Sequence, residues 1–418
     1  MARLIGIRHR VKRTAEQEAR PTMVAILEDG NTRSLELEDE TAELDFLMGK
    51  FPIAWRGVED EENLSRFLLH HIKWRLPKEG DSREALYAPH IRKSGKKFEV
   101  ATKVSSAWDG FKSGDKVFMI LGGSGDRLAY ALSRRGEEID ASVYRIAPFL
   151  FKEERGEATK DDDHTTLACL GSKKPDLFYP VGVRDRGLIQ AQEAYRARRD
   201  TQKDRIRCEQ RLRSHAIGSI FLSEEGRYPE GTVEEAYDNI RANDVILRAI
   251  FKEEEAREVE LRRAVRALDV WRELFESVEG CGEVLAAGII TSIGDIRRFA
   301  TMPKLKAFCG VHVLSDGRFA RKRAGTVANW NPTARQALYL LADQWVKRPN
   351  SERGIKYREY KAKFRAKHSE VIVVDGKKRY TDGHIHKMAI WRTITKFVEH
   401  VFKKWKGIEA RREEVKAA

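Results

Sequence analysis

Apolar and polar positions fall into two regimes along the chain. In the first, short apolar runs are separated by polar, turn-rich stretches. Leu4-Ile-Gly-Ile7 and Thr22-Met-Val-Ala-Ile-Leu27 have strand length, and Glu28-Asp-Gly-Asn31 before Thr32–Leu37 predicts a hairpin. Lys116-Val-Phe-Met-Ile-Leu121 is a compact run ending in Gly122-Gly-Ser-Gly125, which predicts a buried strand with a helix after it from Asp126 to Arg135. Ala141–Ile146 predicts another strand, closed by Pro148. Strands alternating with helices predict an α/β sheet. Between Glu59 and Lys112 no clear period emerges, and helical decoration or an insertion is expected there.

From Arg184 the second regime begins. Arg184–His215 and Val233–Val278 are rich in Ala, Glu, Arg, Gln and Leu and nearly free of Gly and Pro, so they predict two long helices around Ser223–Gly231. A plain helical hairpin and a coiled-coil arm, for dimerisation or for holding nucleic acid, both suit their i,i+4 charges. From about Ser277 the chain reads as helical with a basic bias. Met388, Ile390, Ile394, Phe397, Val401 and Trp405 recur at helix spacing, which predicts a terminal packing helix over Gly383–Trp405. His384 and His386 are two apart and cannot share a helix face, which favours a packing helix over a metal site there. Lys387, Lys396, Lys403, Lys404 and Lys406 would form a solvated or nucleic-acid-facing side. Tyr357, Tyr360 and Phe364 suit either stacking on bases or, more commonly, a core.

Composition narrows the partner. The 418 residues carry 79 Lys+Arg against 65 Asp+Glu, a net charge of +14, and 34% are charged. An ordinary domain has about 25% charged residues. The excess points to a polyanion such as nucleic acid, while 41% hydrophobic residues suffice for packed cores. Apolar stretches such as Val284–Ile290 fall short of the roughly 20 residues that span a bilayer, and the start has no signal-length apolar region, so no membrane partner is expected. Cys169, Cys208, Cys281 and Cys309 show no C-x-x-C spacing, which excludes a zinc ribbon or disulfide framework and predicts a reducing, cytoplasmic setting.

The chemistry-bearing segments lie towards the C-terminus. Glu279-Gly-Cys-Gly-Glu283 precedes the small apolar run Val284–Ile290. Such a G-x-G turn offers amides to a phosphate at a helix N-terminus, or serves as a tight interhelical turn. Then come Ile293-Gly-Asp-Ile-Arg-Arg-Phe299, Lys304-Leu-Lys-Ala-Phe-Cys-Gly310, Ser315-Asp-Gly317, the basic run Arg318-Phe-Ala-Arg-Lys-Arg323, Gly325, Asn331-Pro-Thr-Ala-Arg-Gln-Ala-Leu338 and Asp382-Gly-His-Ile-His-Lys-Met-Ala389. In this order, over Glu279–Lys406, they resemble the C-terminal domain of the insertion-sequence 110/116/902 family of transposases. The N-terminal half resembles that family's RuvC-like (RNase H-like) domain.

The resemblance implies three parts: a RuvC-like α/β domain over residues 1–183, a coiled-coil helical arm over 184–276, and a mostly helical serine transposase domain with a helix-hairpin-helix-like turn over 277–418. It implies a serine nucleophile at Ser315, with Arg318, Arg321, Lys322 and Arg323 offsetting phosphate charge, and Gly280, Gly282, Asn331 and Arg335 on nucleic acid. Many relatives read Ser-Ser-Gly where this chain has Ser-Asp-Gly, so either Ser315 matches the nucleophile or Asp316 stands in its place. In the RuvC-like domain four acids around Mg2+ are implied, because hard cations need clustered oxygens. Two of the four positions hold Arg8 and Ile120. The last two fall in Thr159–Leu167, where one alignment gives Lys160 and Asp163 and another Asp161 and His164. Asp161 and Asp163 are the candidate catalytic acids, and Asp161, Asp162, Asp163 and His164 the candidate metal ligands. These acids could instead cap a helix, and Glu28, Asp29, Asp115 or Asp126 could compensate for the missing ones. The partners implied are donor and target double-stranded DNA, a structured guide RNA and further copies of the chain in a dimer or tetramer with composite active sites. The setting implied is the prokaryotic cytoplasm at the nucleoid. A nuclease-inactive descendant that binds DNA or RNA without strand exchange is the alternative.

Overall fold

The short apolar runs of the first regime become strands. This computed structural model describes residues 3–10, 20–78, 86–94, 97–226, 228, 230–314, 319–320, 329–374 and 377–417. It divides into two compact units, Met1–Val181 and Gly182–Ala418.

In chain order the first unit comprises β1 (Leu4–Arg8), β2 (Thr22–Glu28), β3 (Asn31–Leu37), α1 (Glu40–Leu47), β4 (Phe51–Gly57), β5 (Ile72–Arg75), β6 (Ile91–Ser94) and β7 (Lys97–Asp109). After these come β8 (Lys116–Ile120), α2 (Asp126–Ile139), β9 (Ser142–Ile146), α3 (Pro148–Arg155), α4 (Asp163–Lys173) and β10 (Phe178–Pro180). The main sheet has the order β10-β9-β8-β1-β2-β3. β1, β2 and β3 form an antiparallel meander, β1, β8 and β9 run parallel, and β10 pairs antiparallel at the edge. Asp29 and Gly30 both have positive φ, as a two-residue hairpin turn between Glu28 and Asn31 requires.

Alternation sends successive side chains to opposite faces of this sheet. Ile5, Ile7, Val117 and Met119 pack with Phe46 of α1 and Leu128 and Leu132 of α2. Phe118, Ile120 and Leu4 pack with Phe151 of α3 and with Leu167 and Leu170 of α4. On that second face α4 crosses β1 so closely that a Cβ at Gly6 would lie 1.9 Å from the carbonyl oxygen of His164.

The stretch between Glu59 and Lys112, the expected place of helical decoration or an insertion, holds strands and short 3-10 turns among its described residues. It carries most of a second, four-stranded sheet, in which the 13-residue β7 pairs with β4, β5 and β6. Register shifts at Pro52/Ala54, Ala54/Trp55 and Lys73/Trp74 interrupt the alternation, which is why no strand period emerges from the sequence. Arg3 is buried and binds Asp109 at 2.9 Å and Asp115 at 2.7 Å, tying the end of β7 to the approach to β8.

The second unit comprises α5 (Val183–Phe221), α6 (Val233–Asn243), α7 (Val245–Arg266), α8 (Glu283–Ile293), α9 (Met302–Phe308), α10 (Pro332–Lys347), α11 (Glu352–Lys367), the hairpin β11 (Ile372–Val374) and β12 (Lys377–Arg379), and α12 (Asp382–Ala417). The single helix expected over Val233–Val278 is broken. Asp244 leaves helical geometry, and its side chain accepts from the Leu247 amide to cap α7. A separate π-helical turn spans Trp271–Phe275. The arm is not a body of its own. Leu188 and Ala191 of α5 and Leu261 and Val265 of α7 belong to the same core as Ile290, Leu338, Trp345, Phe397 and Trp405. The predicted inner face of the terminal helix is buried at Ile390, Ile394, Phe397, Val401 and Trp405. Tyr357 is also buried in this core, with Tyr360 and Phe364 packed against it.

Candidate functional site

The C-terminal core is assembled around the G-x-G turn. Gly280 has φ +79°, and a Cβ there would meet the Gln344 side chain at 2.9 Å, so glycine is needed for close helix approach. Gly282 caps α8, and the Trp345 indole donates to the Glu279 carbonyl at 3.1 Å. The start of α8 already has an anion: Glu283 bonds its own backbone amide and pairs with Arg266. Cys281 and Cys309 are buried, which pushes both thiols up to about 12 and leaves them as small apolar fillers.

The Gly-Asp-Ile segment anchors a buried ion network. Arg184 binds Asp295 at 2.6 Å, Asp185 at 2.8 Å and Glu409 at 2.5 Å, while Arg297 binds Asp185 and Asp295 at 2.7 Å. Burial alone would push the Asp295 carboxyl up, yet the two guanidiniums hold it well below the usual carboxylate range. The network joins the first turn of α5 and the last turns of α12 to the segment after α8. Nothing in the sequence pairs Arg184 or Glu409 with Asp295.

Asn331 and Arg335, expected on nucleic acid, are engaged within the unit. Asn331 caps α10 by accepting from the Ala334 amide at 2.9 Å. The Arg335 guanidinium lies between Trp330 and Trp391, 4.6 and 4.5 Å from their ring centroids. It donates to the carbonyls of Gly310 and Ala320, both at 2.7 Å. Arg335 therefore ties together Gly310 and Ala320, between which Ser315, Asp316 and Arg318 fall along the chain and after which come Arg321, Lys322 and Arg323. Those six residues lie outside the described ones; next to them, Val313 and Phe319 pair as an isolated bridge. In the terminal helix His384 Nδ1 accepts from the Tyr380 amide at 3.0 Å, and His386 Nδ1 shares a hydrogen bond with the Tyr357 hydroxyl at 2.5 Å, so the two histidines serve different partners.

Residues 272–358 match the sequence model of the transposase IS116/IS110/IS902 family. The chain carries a transposase domain of that family. Among curated proteins none matches the chain. The match runs from the π-helical turn into the first half of α11, so it covers the G-x-G turn, the ion network's Asp295 and Arg297, and the Arg335 clamp of the transposase domain. Such a domain acts on DNA, and among the described residues no helix is long and apolar enough to cross a membrane.

In the first unit the sequence-predicted acid positions do come together. Ile7 pairs with Met119, so Arg8 and Ile120 are the next positions on neighbouring parallel strands, on the face that α4 covers. The first turn of α4 supplies Asp163 and His164, and the Arg8 charge acts on both. Burial pushes the Asp163 carboxyl above its ordinary value, even though Arg155, at 3.2 Å, and Arg8 oppose this. Burial also pushes His164 down, with the Arg8 charge adding to it, which favours neutral imidazole. His164 Nδ1 donates to the Asp161 carbonyl at 3.0 Å, which leaves Nε2 to accept from the Ser34 hydroxyl at 3.2 Å.

These residues do not fit a Mg2+ site. Asp161 is exposed and bound to Arg20 at 2.9 Å, Asp162 accepts from Thr159 at 2.7 Å, and Asp163 is held by Arg155. Guanidiniums balance Asp161 and Asp163, and among the described residues no set of carboxylate oxygens converges here as a hard cation needs. Compensating acids are committed elsewhere: Asp115 to Arg3 and Asp126 to Arg145 at 2.8 Å, while Glu28 and Asp29 lie at the far end of β2 from Arg8. Arg155, Arg20 and Ser34 were not legible as members of this site, since each reaches it from a different element.

Proposed function

We propose that this chain is a DNA transposase that breaks and rejoins strands through Ser315, with its first unit gripping nucleic acid instead of catalysing metal-dependent cleavage. The observation that carries the reading is the family match over 272–358, which falls on one continuous helical core. In the proposed step the Ser315 hydroxyl attacks a DNA phosphorus, a phosphoserine ester forms, one phosphodiester P–O bond breaks, and the departing oxygen takes up a proton. The ester keeps the energy of the broken bond for rejoining. Arg318, Arg321, Lys322 and Arg323 would offset the phosphate charge as it develops. A structured guide RNA would carry sequence specificity, and further copies of the chain would complete composite sites.

The strand order of the first unit supports an RNase H-like reading: an antiparallel meander of three strands beside two parallel ones, with α4 over the junction. In place of a full acid set this unit has Arg8, Ile120, Asp163 and His164. That substitution favours a second reading, a descendant that binds nucleic acid without exchange. Strand exchange with element ends and RNA separates the two. Under the first reading, Ser315→Ala protein binds DNA but forms no covalent protein–DNA adduct. An adduct that persists in Ser315→Ala removes this serine from the mechanism, and failure of the unmodified protein to exchange strands favours the second.

A further inference from the structure

We propose that Asp45, His70 and His71 form a binding site for a borderline divalent cation such as Zn2+, which clips the inserted sheet of the first unit to α1. Asp45 lies on α1 and is buried, as is His71, while His70 is partly open to solvent. On a strand, adjacent residues point to opposite faces. Here Leu69–His71 is instead a 3-10 turn just before β5, and both rings reach the same carboxylate. His70 Nε2 is 2.9 Å and His71 Nε2 is 2.9 Å from Asp45 Oδ2, and the three ligand atoms lie within 4.8 Å of one another. Among the described residues no other group of three such side chains converges in this way.

The charge balance points to a cation. The hydrogen-bond partners of the Asp45 carboxylate among the described residues are the two imidazoles, and neither an Arg nor a Lys pairs with it. Other buried carboxylates of this unit, Asp109 and Asp115, are served by arginine. The Asp45 carboxylate is the one acidic group of the cluster. Two imidazole nitrogens and one carboxylate oxygen suit Zn2+ or Co2+, and Mg2+ would prefer oxygens alone. Three protein ligands leave a fourth position, which the partly exposed His70 side opens to water.

Coordination carries its own signature. In the hydrogen-bonded form His71 Nε2–H donates to Asp45, and its Nδ1 faces the Trp108 indole N–H at 3.4 Å. To bind a cation through Nε2, His71 must carry its proton on Nδ1, which then confronts another donor. Metal binding therefore turns the half-exposed Trp108 away and changes its fluorescence.

The test uses the full chain, stripped with a chelator and titrated with Zn2+ alone, beside His70→Gln/His71→Gln. Glutamine keeps a donor for Asp45 but is a poor zinc ligand, so the variant retains the hydrogen bonds. The unmodified chain should take up one equivalent more than the variant and melt higher with Zn2+, and the variant's affinity at this site should fall at least about 10-fold. Equal uptake and equal melting shifts in the two proteins overturn the proposal. Co2+ gives a check that needs no variant: a strong visible band of a four-coordinate histidine site is expected, and its absence overturns the proposal as well.

Discussion

At the residue scale, single side chains decide what each region can do. Gly6 lets α4 lie on β1, and a methyl group in its place would collide with the His164 carbonyl, 1.9 Å away. Gly6→Ala should therefore lower stability by about 1–3 kcal/mol or more, as overpacking does, measured by urea unfolding. An unchanged midpoint would show that the helix shifts freely. Arg8 stands where the resemblance calls for an acid. If it holds a phosphate, Arg8→Ala should weaken nucleic-acid binding and reduce the slope of log affinity against log salt by about one. Loss of affinity with an unaltered slope would argue for a folding defect instead. His384 and His386 illustrate the opposite case: two adjacent-looking histidines that the helix turns to separate partners.

At the element scale, the helical unit is held by charges that its sequence pattern does not pair. Asp295 sits between Arg184 of α5 and Arg297, and the same Arg184 reaches Glu409 of α12. Removing one partner leaves buried charges without compensation, so Asp295→Asn should cost about 3–5 kcal/mol. The pH dependence follows from the direction of the shift. The folded carboxyl is held below its unfolded value, so its contribution is complete above about pH 4 and is lost as pH falls from there. Unfolding midpoints of the native protein should drop more steeply between about pH 5 and pH 3 than those of Asp295→Asn. Parallel curves would mean that the carboxyl is not depressed. Asp244 is a smaller case: it stops one helix and caps the next, and Asp244→Ala should cost about 1 kcal/mol by the same assay.

At the scale of the whole molecule, the two units have separate cores. The 182–418 fragment should unfold as one cooperative transition by calorimetry, since α5 and α7 share the core of the transposase domain. Separate melting of the arm would contradict this. With a net charge of +14, the chain should lose DNA affinity on the order of 10³-fold or more between about 50 and 200 mM salt. A flat response would mean that the charge excess is not used on DNA.

The sequence by itself determined most of the local structure. Strands β1, β2, β3, β8 and β9 and the terminal helix follow from apolar runs and helix spacing, because side-chain periodicity is a local property. The transposase resemblance was legible for a related reason: its segments keep their order along the chain. Only the tertiary structure decided what the charged residues do. Arg335 reads as a phosphate ligand until Trp330 and Trp391 close on it, and the acids at 161–163 read as metal ligands until Arg20 and Arg155 take them. The inserted sheet was hidden by its bulges, and the Asp45–His70–His71 cluster by the distance along the chain between α1 and the turn before β5. Charge and coordination depend on which groups meet in space, and that depends on packing between elements that no local pattern records.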